Sequence, residues 1–201
     1  MKFPYLKSLG KEKGWYRVGP LARLNTCDFI PSPLAQAEFE QYKALTNGKP
    51  NNYCMHYHYA RLIETLHSAE MIKKLLNDPD LMEGELVKKG TKISKGVGVI
   101  EAPRGTLFHH YEIDKNDQLT KANLIVSTTN NNEPMNRSVN IVANSWMNGK
   151  AEITEPMMNA VEVSIRAYDP CLSCATHALG KMPLEVSLYD ANNNLIDRKR
   201  T

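Results

Sequence analysis

Asp169-Pro170-Cys171-Leu172-Ser173-Cys174-Ala175-Thr176-His177 is the stretch on which the reading of this 201-residue chain turns. Two residues between Cys171 and Cys174 let the backbone bend so that both sulfurs aim at one point. Thiolates select soft or borderline metals such as nickel, iron, zinc or copper(I). Three other readings compete. A thioredoxin-like dithiol opens a helix, whereas this pair follows a helix that Pro170 ends. A structural zinc site needs four ligands, and the chain holds no second Cys-x-x-Cys. Two buried cysteines without a role are the third. His177, three residues past Cys174, extends the cluster.

Outward from this segment the composition is that of an ordinary globular chain. Apolar residues make up 42% and charged residues 23%, enough for a buried core. A formal net charge of +3, evenly spread, does not point to nucleic acid or an anionic membrane. No apolar run is long enough to cross a bilayer, and the N-terminus lacks a signal-peptide core. The expectation is a cytoplasmic protein. In a reducing compartment its four cysteines point to metal or catalysis rather than to disulfides.

The pattern of elements is α+β: helices with a central antiparallel strand region. Residues 1–31 read as irregular, punctuated by Gly10, Gly14, Gly19 and Pro20. Ser32-Pro33 starts a helix that runs to about Thr46. A second is expected from about Asn52 to Leu76, with an apolar stripe at Tyr53, Tyr57, Ala60, Ile63, Leu66, Ile72, Leu75 and Leu76. Val97–Glu101, Thr106–Ile113 and Ala122–Thr128 read as strands, with a turn at Lys115-Asn116-Asp117. A short helix is expected near Asn136–Asn144, and a better one from Thr154 to the proline before Cys171. Leu184, Val186 and Leu188 alternate, then Asn192-Asn193-Asn194 turns, so the tail reads as a hairpin.

Asp-Pro-Cys-x-x-Cys-x-x-His at 169–177 resembles the C-terminal signature of nickel–iron hydrogenase large subunits. Glu101-Ala102-Pro103-Arg104-Gly105-Thr106-Leu107, Ile125-Val126-Ser127-Thr128-Thr129-Asn130 and Gly19-Pro20-Leu21-Ala22-Arg23-Leu24-Asn25 resemble further segments of that family. RAYDPCLSCATH and EAPRGTLFHH look most like its cytosolic branch, linked to viologen, deazaflavin or nicotinamide partners. The resemblance implies reversible oxidation of dihydrogen at a nickel–iron centre with carbonyl and cyanide ligands. Cys171 would be a terminal nickel ligand and Cys174 a bridge between the metals. Arg104 would lie beside the cyanides or the open metal face. Thr128 would hydrogen-bond a cyanide, with Ser127 where many members have proline. Asp169 would be a carboxylate near the nickel, and His177 would ligate a separate magnesium-type ion. The candidate proton acceptors are a terminal thiolate, Cys171 or its counterpart absent from this chain, or Arg104.

Two departures from the family pattern shape the expectation. The motif Arg-x-Cys-Gly-x-Cys, which supplies the other two of four thiolates, is absent, as is the proton-transfer glutamate near it. The chain therefore resembles the C-terminal half of the large-subunit fold and is expected to be inactive alone. It also continues past His177 for residues 178–201, resembling an unprocessed precursor. The division would be 1–177 as enzyme and 178–201 as an extension cut off at His177–Ala178. The implied partners are the upstream half, an iron–sulfur small subunit, electron-acceptor subunits and a maturation endopeptidase. The rival reading is a non-catalytic zinc-type or scaffold module. Cys54, His56 and His58 read as ordinary helix positions, since 54 and 58 share a face and 56 does not. His109 and His110 should point to opposite strand faces. Met157 and Met158 read as core filler, and Cys27 as a buried thiol.

Overall fold

The computed structural model describes residues 2–85, 87–172, 174 and 183–200. In chain order the elements are α1 (Gly10–Lys13), α2 (Pro20–Thr26), α3 (Pro33–Ala44), α4 (His56–Leu75), β1 (Lys95–Ala102), β2 (Gly105–Ile113), β3 (Leu119–Ile125), α5 (Ser127–Asn130), α6 (Asn132–Trp146), α7 (Glu155–Arg166), β4 (Glu185–Tyr189) and β5 (Leu195–Arg200). The α+β class is as expected. The elements fall into two units, Val18–Ile125, and Met1–Arg17 with Val126–Thr201.

In the first of these, α2, α3 and α4 pack around Leu21, Leu24, Phe39, Tyr42, Tyr57 and Ile63, all nearly inaccessible to solvent. The expected irregular opening contains α2. Pro20 is its first residue, where a missing N–H costs nothing, and Gly19 before it takes φ +93°. The start of α3 lies where Ser32-Pro33 puts it, but the cap is different. Ser32 Oγ meets His67 Nδ1 of α4 at 2.8 Å, while Glu70, also on α4, accepts the N–H groups of Leu34 (3.1 Å) and Ala35 (3.0 Å). A carboxylate at a helix N-terminus answers both the orphan donors and the dipole. Desolvation pushes the Glu70 carboxyl up, but the N–H groups of Ala35 and Leu34 together with the Ser32 hydroxyl and the charge of His67 outweigh it and hold its pKa below the ordinary value.

Helix α4 begins at His56 rather than Asn52, and Tyr53 is exposed. Its expected stripe is buried only at Tyr57, Ala60 and Ile63; Ile72, Leu75 and Leu76 face outward. The sheet is antiparallel in the order β1-β2-β3. Its third strand ends at Ile125, three residues before the expected end, because the chain turns into α5. His109 and His110 take opposite faces: His109 Nδ1 lies 2.9 Å from Tyr111 Oη, and His110 Nε2 lies 3.2 Å from Glu112. His56 Nδ1 meets Asn51 Nδ2 at 2.6 Å, and His58 pairs with Arg61. Cys27 is half-exposed, not buried, though partial desolvation still raises its pKa.

In the other unit, α6 and α7 pack together, with Met147, Met157 and Val161 buried between them. Helix α6 is longer than the expected 136–144. It starts at Asn132, behind the buried run Asn130-Asn131-Asn132. Tyr16 Oη donates to Asn130 Oδ1 at 2.7 Å, and Asn132 Nδ2 donates to the Lys2 carbonyl at 2.9 Å. At the far end of α7, Tyr168 is 2% exposed. Its hydroxyl lies 2.8 Å from Ser138 Oγ and donates to the Pro134 carbonyl at 3.1 Å, fastening α7 to α6. The tail forms the expected hairpin of β4 and β5. Asp190 shapes its turn by accepting the N–H groups of Asn192 (2.9 Å) and Asn194 (2.8 Å). Leu184 and Val186 rest on the α6–α7 core, and Asp197 Oδ2 accepts the Ile153 N–H at 2.7 Å. That N–H is the first cause of Asp197's lowered pKa.

Two substitutions probe these constraints in the full-length subunit. Gly105 has φ +130°, and a Cβ there would clash with Val18 and lie 2.9 Å from Gly19 N. Gly105→Ala should therefore cost about 1–3 kcal/mol or more, whereas Gly98→Ala, with nothing within 4 Å of its new Cβ, should change stability by under about 0.5 kcal/mol. Equal melting temperatures for the two would contradict the close approach at Val18. Tyr168→Phe should cost about 1–2 kcal/mol by denaturant titration, because it leaves the buried Pro134 carbonyl without this donor.

Candidate metal centre

The end of α7 delivers the cysteine loop. After Tyr168 the chain reverses at Asp169, whose φ of +49° lies in the left-handed region. Its N–H closes the helix on the Arg166 carbonyl at 2.9 Å. An aspartate tolerates that conformation better than most residues, and Pro170 then forbids further helix. Cys171 follows at once. Its backbone N–H donates to Thr128 Oγ1 at 3.1 Å. Thr128 is 3% exposed and Ser127 8%, both on α5. Thus three elements of one unit meet at the loop: α7 through Tyr168 and Asp169, α6 through Ser138, and α5 through Thr128.

Cys171 and Cys174 are joined as a disulfide, with Cα atoms 5.3 Å apart. Two sulfurs close enough to bond each other can, once reduced, address one soft ion. Metal binding needs both as thiolates, so the ligand form is the reduced one. Among the described residues no group of three or more His, Cys, Asp or Glu converges. The donor set fits one side of a nickel–iron site. His177, expected to hold a further ion, lies outside the described residues, as does the expected cut after it. A cavity of ≈ 610 Å³ adjoins the loop, lined by Ile165, Arg166, Asp169, Pro170 and Leu172, with the tail's Pro183 and Leu184 as another wall.

Arg104 belongs to the other unit, at the tip of the β1–β2 hairpin, and is exposed. Ala102 pairs with Gly105, so Pro103 and Arg104 alone make the turn. Two-residue hairpin turns favour positive φ at the first position. Pro103 cannot adopt it, and Gly105 takes φ +130° just beyond. Arg23 of α2 grips this turn. Its Nη1 donates to Glu101 Oε1 (2.6 Å) and the Ala102 carbonyl (2.9 Å), and its Nη2 to the Pro103 carbonyl (2.9 Å). Glu64 of α4 holds the same guanidinium in bidentate fashion, at 2.7 Å from Nε and 2.6 Å from Nη2. Burial disfavours the charge on Arg23, but the bonds and charges of Glu64 and then Glu101 outweigh it and raise its pKa. Arg23 lies in a segment singled out in the sequence, yet its tie to Pro103 spans 80 residues. Tyr168 and Glu64 carry no sequence signal of a role; only the fold brings them into play.

The chain matches the family model of nickel-dependent hydrogenases over residues 2–177. It is 56% identical to the NAD-reducing hydrogenase HoxS subunit beta of Cupriavidus necator, covering 99% of this chain and 41% of that one. It is 41% identical to an iron-sulfur subunit of the F420-non-reducing hydrogenase of Archaeoglobus profundus, covering 98% of this chain and 42% of that one. Its fold matches the crystal structure of an NAD+-reducing [NiFe]-hydrogenase in the H2-reduced state with a TM-score of 0.82 and 51% identity, over 88% of this chain and 39% of that one. The chain thus spans about two fifths of the length of the relatives it matches. With a family match that runs from its second residue through the Cys171–Cys174 loop, this chain belongs to the nickel-dependent hydrogenase family.

Proposed function

We propose that this chain is the C-terminal part of the catalytic large subunit of a nickel–iron hydrogenase, in precursor form, and that Cys171 and Cys174 supply two of the four thiolates of its metal centre. The observation that carries this reading is a pair of convergent sulfurs on a loop whose Cys171 N–H is held by the buried Thr128 hydroxyl of α5. When bound, a nickel–iron centre with carbonyl and cyanide ligands supplies the Lewis acidity and redox capacity to split dihydrogen into two protons and two electrons.

The chain's own residues do the rest. Thr128 Oγ1, by accepting the Cys171 N–H, fixes the start of the loop; its own O–H remains a donor suited to a cyanide nitrogen. Ser127 adds a second buried hydroxyl to the same helix turn. The Cys171 sulfur is the proton acceptor nearest the chemistry, with Arg104 as a fixed planar cation at the open face. Asp169, held in its left-handed turn, offers a carboxylate beside the loop. His177 binds a magnesium-type ion. The upstream half completes the ligand set, an iron–sulfur small subunit carries electrons away, and further subunits pass them to an acceptor. The 56% identical relative is a subunit of an NAD-reducing hydrogenase, so a nicotinamide dinucleotide is the acceptor we assign. The cytoplasm is its place of work; among the described residues no helix is long and apolar enough to cross a membrane.

Residues 178–201 are a maturation extension that an endopeptidase removes at His177–Ala178. Once the chain is cut, only noncovalent contacts remain to hold the hairpin, through Leu184, Val186 and Asp197.

The reading is tested on the full-length subunit produced with its partners and maturation proteins. Cys171→Ser and Cys174→Ser should each lose nickel by elemental analysis and at least about 100-fold in hydrogen oxidation, the scale set by losing a metal ligand's support. Wild-type nickel and turnover in either variant would overturn the ligand assignment. Intact mass of the active enzyme should end at His177; a fully active enzyme that keeps residues 178–201 would overturn the extension.

A further inference from the structure

We infer that Arg23 is the positioning residue for Arg104: its guanidinium, locked by Glu64, holds the carbonyls of Ala102 and Pro103 and so fixes where the Pro103–Arg104 turn carries its cation. The inference rests on the proposed place of Arg104 beside the metals, and goes beyond it to ask what aims that side chain.

Each of the five N–H donors of Arg23 has an acceptor. Two go to the carboxylate of Glu64, one to Glu101, one to the Ala102 carbonyl and one to the Pro103 carbonyl, all between 2.6 and 2.9 Å. A lysine has three donors on one rotating nitrogen and cannot reproduce this planar fork. The turn needs such help. Pro103 bars the twist-matched hairpin turns, so the strands alone do not determine its geometry. Backbone carbonyls on both sides of the Ala102–Pro103 bond are the handles that fix it, and Arg23 takes both.

Three further contacts close the clamp. Thr106 Oγ1 donates to Glu101 Oε2 at 2.8 Å, tying that carboxylate across the hairpin. Gly19, just before α2, has no Cβ, and one built there would lie 2.9 Å from the Arg104 carbonyl oxygen. Tyr57 of α4, 1% exposed, donates its hydroxyl to the Val18 carbonyl at 3.1 Å. The residues leading into α2 are thereby tied to α4 while they lie close against the turn. Arg23 and Glu64 side chains are each 26% exposed, so the pair is shielded but not sealed. Such an arrangement suits a positioning role: within the turn itself Arg23 takes the backbone carbonyls of Ala102 and Pro103, and it braces the hairpin through the Glu101 carboxylate.

The test uses the full-length enzyme with its metals loaded. Arg23→Lys, Glu64→Gln, Arg104→Lys and the double variant Arg23→Lys/Arg104→Lys are compared by infrared spectra of the cyanide stretches, metal content, melting temperature and turnover. With nickel and iron content unchanged, Arg23→Lys should shift or broaden the cyanide bands and lower kcat about ten- to 100-fold with a smaller change in KM, as misplacement of a catalytic group does. Glu64→Gln should act in the same direction more weakly. The double variant should fall little below Arg104→Lys alone, because Arg23 acts through Arg104. If Arg23→Lys does not accumulate, Glu64→Gln decides. Cyanide bands and kcat at wild-type values in the variants that fold would overturn the clamp. If Arg104→Lys itself leaves the bands unmoved, the place assigned to Arg104 falls, whereas bands that move in Arg104→Lys but not in Arg23→Lys sink only the present inference.

Discussion

A guanidinium presents five N–H donors in one plane, and in this protein Arg23 directs all of them at groups that must stay still. That constraint orders the unit Val18–Ile125. Helix α4 supplies Glu64 and Tyr57, α2 supplies Arg23 itself, and the β1–β2 turn receives the grip. Glycines stand where the backbones touch: Gly19 and Gly105 allow an approach that a side chain at either position would prevent. The exposed strands of the sheet contribute little core of their own, so the turn's position depends on polar contacts rather than on packing.

The unit that holds the cysteines solves the same problem differently. There a buried tyrosine just past the end of α7, Tyr168, ties the helix to α6. Asp169 reverses the chain and Thr128 accepts the N–H of Cys171. Each of these fixes backbone, not sulfur. The two sulfurs converge on each other as a disulfide. In the hairpin tail Leu184 and Val186 rest on the same two helices, Asp197 accepts the N–H of Ile153 just before α7, and Pro183 and Leu184 line the cavity beside the loop.

Much of this was legible in the residues. The Cys171–Cys174 spacing, the helix start at Ser32-Pro33, the end of α7 near Pro170, the antiparallel strands and the tail hairpin all follow from local chemistry. The misses share a cause. Helix α2 is only seven residues long, and Gly19-Pro20 looks like a breaker until a neighbouring backbone explains the glycine. Ile125-Val126-Ser127-Thr128 reads as strand because most of these residues are β-branched, yet the chain leaves the sheet there to bury Ser127 and Thr128. Ser32 looks like a cap, but Glu70, 35 residues or more away in sequence, does that work. The stripe on α4 was correct as a pattern and misleading as a measure of burial beyond Ile63. For the site, the sequence singles out candidate residues but not the groups that hold their backbone. Arg23 and Tyr168 act through carbonyls and hydroxyls whose partners only the fold identifies.

The central claim is that the loop of Cys171 and Cys174 is one wall of a nickel–iron site. Anomalous diffraction at the nickel edge, from crystals of the full-length reduced enzyme, tests it most directly. The account predicts a nickel peak within bonding distance of both Cys171 Sγ and Cys174 Sγ. An active enzyme that retains the Cys171–Cys174 disulfide, or whose nickel lies away from both sulfurs, would contradict it.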